Sequence, residues 1–163
     1  MSIPNEPPTA AVGQVDVRGP RFTAWVTTVV LVATLFAAAV SSALAAVLLG
    51  LQAAVFAVGA WFGPRQHPYG RLYAAVIAPR RGPTVEREPV PPLKFAQLVG
   101  LVFAIVGTAG FALGAPLIGL VATGFALFAA FLNAAFGICL GCRLYPLIVR
   151  LRRTPALSAH PTP

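Results

Sequence analysis

Charge is scarce in this chain, and acid is scarcest. Asp and Glu number four in 163 residues, Lys and Arg twelve, and charged residues make up only 10%. A soluble domain carries roughly 25%, so this chain could not cover a water-facing surface. From Phe22 to Phe62, and again from Phe95 to Cys142, there is no Asp, Glu, Lys, Arg or His. That absence argues against ion-coupled transport and proton pumping, which use ionisable groups inside the membrane. A phosphate-binding glycine loop, a serine triad and a paired carboxylate are also missing. The first twenty residues lack the basic start of a secretory signal, so the first apolar run is expected to stay in place as a signal anchor.

The two uncharged stretches are each about twice the roughly 20 residues that cross a bilayer core. Each therefore crosses, turns and returns. The expected fold is an all-α membrane protein of four transmembrane helices, over about 22–41, 43–62, 95–113 and 117–138. Ser41-Ser42 and Gly114-Ala-Pro116 read as the outer turns. A cytosolic loop covers 63–94, the four-helix domain 16–153, and disordered tails 1–15 and 154–163. Trp25 and Trp61 sit near the ends expected in the headgroup zone.

The net charge of +8 could suggest nucleic acid. Its distribution rejects that. Two basic residues precede the first span, six lie in the central loop, four follow the last span, and the outer turns have none. This is the positive-inside pattern, which places both termini and the loop in the cytoplasm of a bacterial inner membrane. Anionic lipid headgroups account for the rest of the basic charge.

A tandem repeat runs through the chain. Arg21-Phe22 matches Lys94-Phe95, Phe62-Gly63 matches Phe136-Gly137, Arg71-Leu72-Tyr73 matches Arg143-Leu144-Tyr145, and Arg80-Arg81 matches Arg152-Arg153. Two parallel hairpins are expected, each followed by a short basic segment lying on the membrane.

The chain's only two cysteines form Cys139-Leu-Gly-Cys142. Chance would place a pair three apart about once in eighty trials. Residues i and i+3 share a helix face. The spacing suits dithiol–disulfide exchange, persulfide transfer or a soft metal, and a reducing cytosol makes a structural disulfide a poor fit. Arg143 would favour a thiolate. If Gly141 breaks the fourth span and Pro146 opens a new helix, Cys142 becomes the more nucleophilic sulfur. His67 lies at a matching depth in the first repeat. Its functional reading is a base or third metal ligand, and its plain reading is a solvent-exposed loop histidine. Two cysteines and one histidine fall short of a four-ligand zinc site, which a homo-oligomer could complete. No cofactor is otherwise expected. Of the polar span residues Gln52, Gln97 and Asn133, Gln52 and Asn133 either line a polar cavity or join neighbouring helices through modest hydrogen bonds. Asp16, in Asp16-Val-Arg18, reads as an interfacial anchor able to pair with Arg18, Arg21 or Arg143.

Gly137-Ile-Cys139-Leu-Gly141-Cys142, the Asp16-x-Arg18 entry and the stretch from Phe62 to Gly70 together resemble the signature of small bacterial four-span membrane proteins grouped as a domain of unknown function. The resemblance covers about residues 14–153. It implies a setting near thioredoxin-like proteins and sulfurtransferases. Three functions follow as expectations. The first is a thiol or sulfane-sulfur relay with a cytosolic thioredoxin- or rhodanese-like partner. The second is a non-enzymatic anchor or assembly subunit. The third is passage of a small sulfur solute. A quinone-linked oxidant of exported proteins fits poorly, because the cysteines are expected inside.

Overall fold

The computed structural model describes residues 13–82 and 86–153. Most of both expected tails lies outside the described residues. The elements are β1 (Gln14–Asp16), α1 (Arg18–Val40), α2 (Ser42–Phe62), α3 (Pro68–Val76), β2 (Arg87–Pro89), α4 (Val90–Ala112), α5 (Pro116–Phe136) and α6 (Leu140–Arg153), with a short 3-10 turn at Ala78–Arg80. The four long helices α1, α2, α4 and α5 are long and apolar enough to cross a membrane. The protein is an all-α membrane protein of two tandem hairpins, each followed by a basic helix.

The turns follow from local chemistry. Ser41 alone separates α1 from α2, and its hydroxyl accepts from the Leu44 amide at 3.4 Å, capping α2. Pro116 opens α5, where its missing N–H costs nothing. Asp16 Oδ1 accepts from the Arg18 amide at 2.9 Å and so satisfies a free donor at the start of α1. The guanidinium of Arg18 goes elsewhere, to the Arg81 carbonyl at 3.0 Å. Both hairpins begin earlier than the charge pattern suggested. α1 takes in Arg18 and Arg21, and α4 takes in Lys94, because a basic residue in a first turn can reach out to the headgroups.

The core lies where the four spans meet, at Leu31, Leu49, Phe56, Leu101, Ala104 and Phe111. Buried threonines close their own hydroxyls onto the preceding turn: Thr28 to Ala24 O at 2.8 Å, Thr34 to Val30 O at 2.9 Å and Thr123 to Gly119 O at 2.7 Å. Each of these three hydroxyls is thereby satisfied inside a low-dielectric bundle, whereas the Thr108 hydroxyl is buried without a partner. Large apolar side chains such as Val29, Phe36, Leu51 and Phe128 point outward, as lipid-facing residues do.

The duplication seen in the sequence is also spatial. α2 packs on α4 as α5 packs on α1, and α3 rests on α1 as α6 rests on α4. The matched rings repeat the same contact: Phe22 and Tyr73 have centroids 5.7 Å apart, Phe95 and Tyr145 6.1 Å. A two-stranded ribbon that the sequence had not suggested ties the halves together. β1 and β2 pair antiparallel, with Gln14 opposite Pro89, Val15 opposite Glu88 and Asp16 opposite Arg87. β2 follows β1 at the same spacing that separates Phe22 from Phe95, so Val15 and Glu88 are repeat equivalents facing each other. The pseudo-twofold axis of the molecule passes between them.

Candidate functional site

The site lies at the basic end of the bundle, where α5 gives way to α6. α5 ends at Phe136 because Gly137 takes φ +67, a left-handed conformation that costs any side chain energy. Its open face is covered by the Arg21 guanidinium, which a Cβ would strike. The fourth span therefore breaks at Gly137, one turn before the break expected at Gly141. Gly141 has a different duty: a Cβ there would lie 2.6 Å from Ala96, so its bare backbone lets α6 seat on α4. α6 then starts at Leu140, and Pro146 lies inside it rather than in its first turn.

This earlier start puts Cys139, rather than Cys142, at the amino end of the new helix. Cys139 is the residue just before α6, and the unpaired amides of that helix point at it. The Cys142 amide donates to Cys139 Sγ at 3.3 Å, and the Cys142 thiol donates to the same sulfur at 2.6 Å. Both cysteines are free thiols. The Cys142 thiol lowers the Cys139 pKa below that of an ordinary thiol, burial opposes this, and the amides of Cys142 and Gly141 help. Cys142 moves the other way, held protonated by its bond to Cys139 and then by burial. Of the two, Cys139 is the more easily ionised sulfur and Cys142 the one held protonated. Arg143 is exposed on α6 and gives its backbone amide to the Cys139 carbonyl at 3.1 Å. The charge that acts on both sulfurs is Glu88, which raises their pKa values. Glu88 is itself raised by burial, while Arg21 lowers it and Glu86 raises it further.

His67 is not an exposed loop residue. It is 1% exposed, and neither ring nitrogen has a hydrogen-bond partner. The chain after α2 turns back into the bundle, so that the Tyr69 hydroxyl donates to Gln52 Oε1 at 2.9 Å. Gly59 makes the room, since a Cβ there would lie 2.6 Å from His67 Cδ2 and 2.9 Å from Gln97 Cγ. Burial lowers the His67 pKa to about 4, with Gln97 acting weakly against it. His67 is thus a neutral imidazole. It stands in the first half where Cys139 stands in the second, at the spacing that also separates Tyr73 from Tyr145.

Two cavities flank the axis. One, of about 300 Å3, is lined by Asp16, Arg65, His67, Tyr73 and Gln97. The other, of about 390 Å3, is lined by Thr27, Gln97, Phe103, Asn133 and Cys139. Pro20, Thr23, Leu93 and Gln97 wall both. The cavities adjoin, and they bring His67 and Cys139 to opposite sides of Gln97. Among the described residues, no three His, Cys, Asp or Glu side chains gather to hold a metal ion.

Sequence reasoning missed Glu88 and the placing of Gln97 beside His67 in the wall of one cavity. The spacing between the two repeats carried the signal for Glu88, because it sets residues 87–89 against 14–16. Asn133 does line a cavity, as one of its two readings held, and Gln52 bonds to a neighbouring element, as the other did.

Residues 15–150 match the model of the family described as Domain of unknown function (DUF4395), and the chain belongs to that family. No curated protein and no solved structure matches it.

Proposed function

We propose that the chain is a thiol–disulfide or sulfane-sulfur relay of a bacterial inner membrane, with its basic end and its Cys139–Cys142 pair in the cytosol. The observation that carries this reading is the pair itself. The two sulfurs are in contact at 2.6 Å, and the one at the helix start also accepts the Cys142 amide. That is the division of labour between an attacking and a resolving thiol. The positive-inside pattern supports the sidedness.

In disulfide exchange, the Cys139 thiolate attacks one sulfur of a partner disulfide and the partner's other sulfur leaves as thiolate. Cys142, freed of its proton to solvent, then attacks Cys139 Sγ and expels the partner as a dithiol. The pair ends oxidised and the partner reduced, and the reverse sequence runs the electrons back. In sulfur transfer, Cys139 attacks the outer sulfur of a partner persulfide, taking that sulfur and releasing the partner thiolate. Arginines on α3 and α6 would steer an acidic thioredoxin- or rhodanese-like partner to this face.

The test is capture. A Cys142→Ser chain lacks the resolving thiol and should accumulate a mixed disulfide through Cys139 with a cytosolic thioredoxin-fold or rhodanese-fold protein. The Cys139→Ser chain should trap nothing. If the double Cys→Ser chain leaves cellular thiol state and sulfur handling unchanged, the relay reading fails. A partner that co-purifies with that double variant would mark the chain as an anchor instead.

A further inference from the structure

We propose that the cavity beside Cys139 binds a lipid-soluble quinone, and that the Cys139–Cys142 dithiol reduces it to the quinol. The inference rests on the thiol relay proposed above and names the acceptor at its membrane end.

The cavity has a polar end and an apolar end. Thr23, Gln97, Asn133 and Cys139 come from helix turns toward the basic face, and Thr27 lies one turn deeper than Thr23. Phe103, Phe125 and Phe128 line the deeper part, reaching roughly 16 Å of helix above the end of α5. Phe125 and Phe128 also lie exposed on the lipid side of α5. The cavity therefore opens sideways into the bilayer, and what enters must be soluble there. Its occupant is an amphiphile with a small polar head beside Cys139 and an apolar tail directed toward mid-membrane. The head end carries the Asn133 amide and the Thr23 and Thr27 hydroxyls, groups suited to carbonyl oxygens.

A phospholipid head is charged and carries no redox chemistry, whereas the group presented to this head is a dithiol. Two thiols give up two electrons and two protons on forming a disulfide, and a quinone takes up two of each. Cys139 and Cys142 lose their hydrogens and join, and both quinone oxygens become hydroxyls. Nothing else is required for balance. A partner dithiol then reduces the pair again by exchange. Electrons would pass from cytosolic thiols to the membrane quinone pool.

The experiment uses the full chain in lipid nanodiscs, reduced and kept anaerobic, with a fully ring-substituted, short-tailed benzoquinone that cannot form thiol adducts. Quinone absorbance and the Cys139–Cys142 disulfide are followed together, and exchange with a water-soluble thioredoxin disulfide is measured alongside. One quinol should form per pair oxidised, and none with Cys139→Ser or Cys142→Ser. Ala129→Trp, which fills the cavity without touching the pair, should slow quinone reduction at least tenfold and leave thioredoxin exchange unchanged. Exchange with thioredoxin but no quinone reduction overturns this inference and leaves the relay standing. Quinone reduction insensitive to Ala129→Trp also overturns it, because the reaction would then occur outside the cavity. A phospholipid retained in the cavity by native mass spectrometry and not displaced by the quinone overturns it as well. If the pair reacts with neither substrate, the relay reading falls and the redox step with it.

Discussion

His67 and Cys139 hold the same station in the two halves of the molecule. Each is the last residue before a basic helix, and each gives its carbonyl to the amide of the arginine four residues on: Arg71 to His67 at 2.9 Å, Arg143 to Cys139 at 3.1 Å. Each follows a glycine of positive φ that ends a span, Gly63 or Gly137. The duplicated fold thus offers the same position twice, with an imidazole in one copy and a thiol in the other. Each side chain lines its own cavity, and the cavities meet at Gln97.

Burial of His67 makes stability depend on pH. Its pKa falls from 6.5 to about 4 on folding. Between those values the unfolded chain binds more protons than the folded one, so stability rises with pH across this window. It is fully present above pH 6.5 and is lost as pH drops toward 4, by about 3 kcal/mol. His67→Gln removes the titration and should flatten this part of the profile. Thermal unfolding in nanodiscs between pH 4 and 7 checks it. A variant that keeps the parent slope would show that another group is responsible.

Thiol reactivity should be unequal. A limiting dose of alkylating reagent will modify Cys139 before Cys142, as peptide mass spectrometry would read. Cys142→Ala removes the thiol that most lowers the Cys139 pKa, so the rate at Cys139 should fall ~10-fold at pH 7 and recover at higher pH. Preferential labelling of Cys142 would return the assignment to the one expected from the sequence.

How far the sequence could be read depended on which residues set the geometry. The four spans and the duplication were legible because uncharged length and matched motifs are one-dimensional signals. The order of the two sulfurs was not. It turns on whether Gly137 or Gly141 breaks the span, and both are glycines within one turn. Gly137 wins because Arg21, distant in the chain, covers its bare face, while Gly141 is needed against Ala96. His67 was misjudged for a related reason. Its neighbours Pro64, Arg65 and Gln66 read as a loop, but Gly59 leaves a hole one turn back in α2, and the loop folds into it. Glu88 was legible only after the repeat had been extended beyond the helices to residues 14–16.

Tyr69 and Gln52 form a bond whose loss should be felt. Gln52 is 1% exposed, and its Nε2 already lacks a partner. Tyr69→Phe would strip the acceptor of its donor as well, at a cost of ~1–2 kcal/mol. Gln52→Leu in the Tyr69→Phe background should regain much of that loss, since both polar groups are then gone. Unfolding measurements on the two single variants and the double variant test the pair. Additive losses would show that the hydrogen bond contributes nothing.

Gly137→Ala joins fold and chemistry most directly. A methyl group there meets two obstacles, the left-handed backbone and the Arg21 guanidinium. The backbone alone costs ~1–3 kcal/mol. α5 can relieve it only by continuing as helix past Phe136, which would carry Cys139 into the helix and away from the free amides that begin α6. The variant should therefore lose stability and also lose the fast alkylation of Cys139, while Cys142 remains slow. Arg21→Ala separates the two effects, because it removes the guanidinium and leaves the glycine turn in place. It should leave Cys139 reactive, and it should reduce the cost of Gly137→Ala when the two are combined. A Gly137→Ala chain that alkylates at the parent rate would show that the reactivity of Cys139 does not depend on where α6 begins.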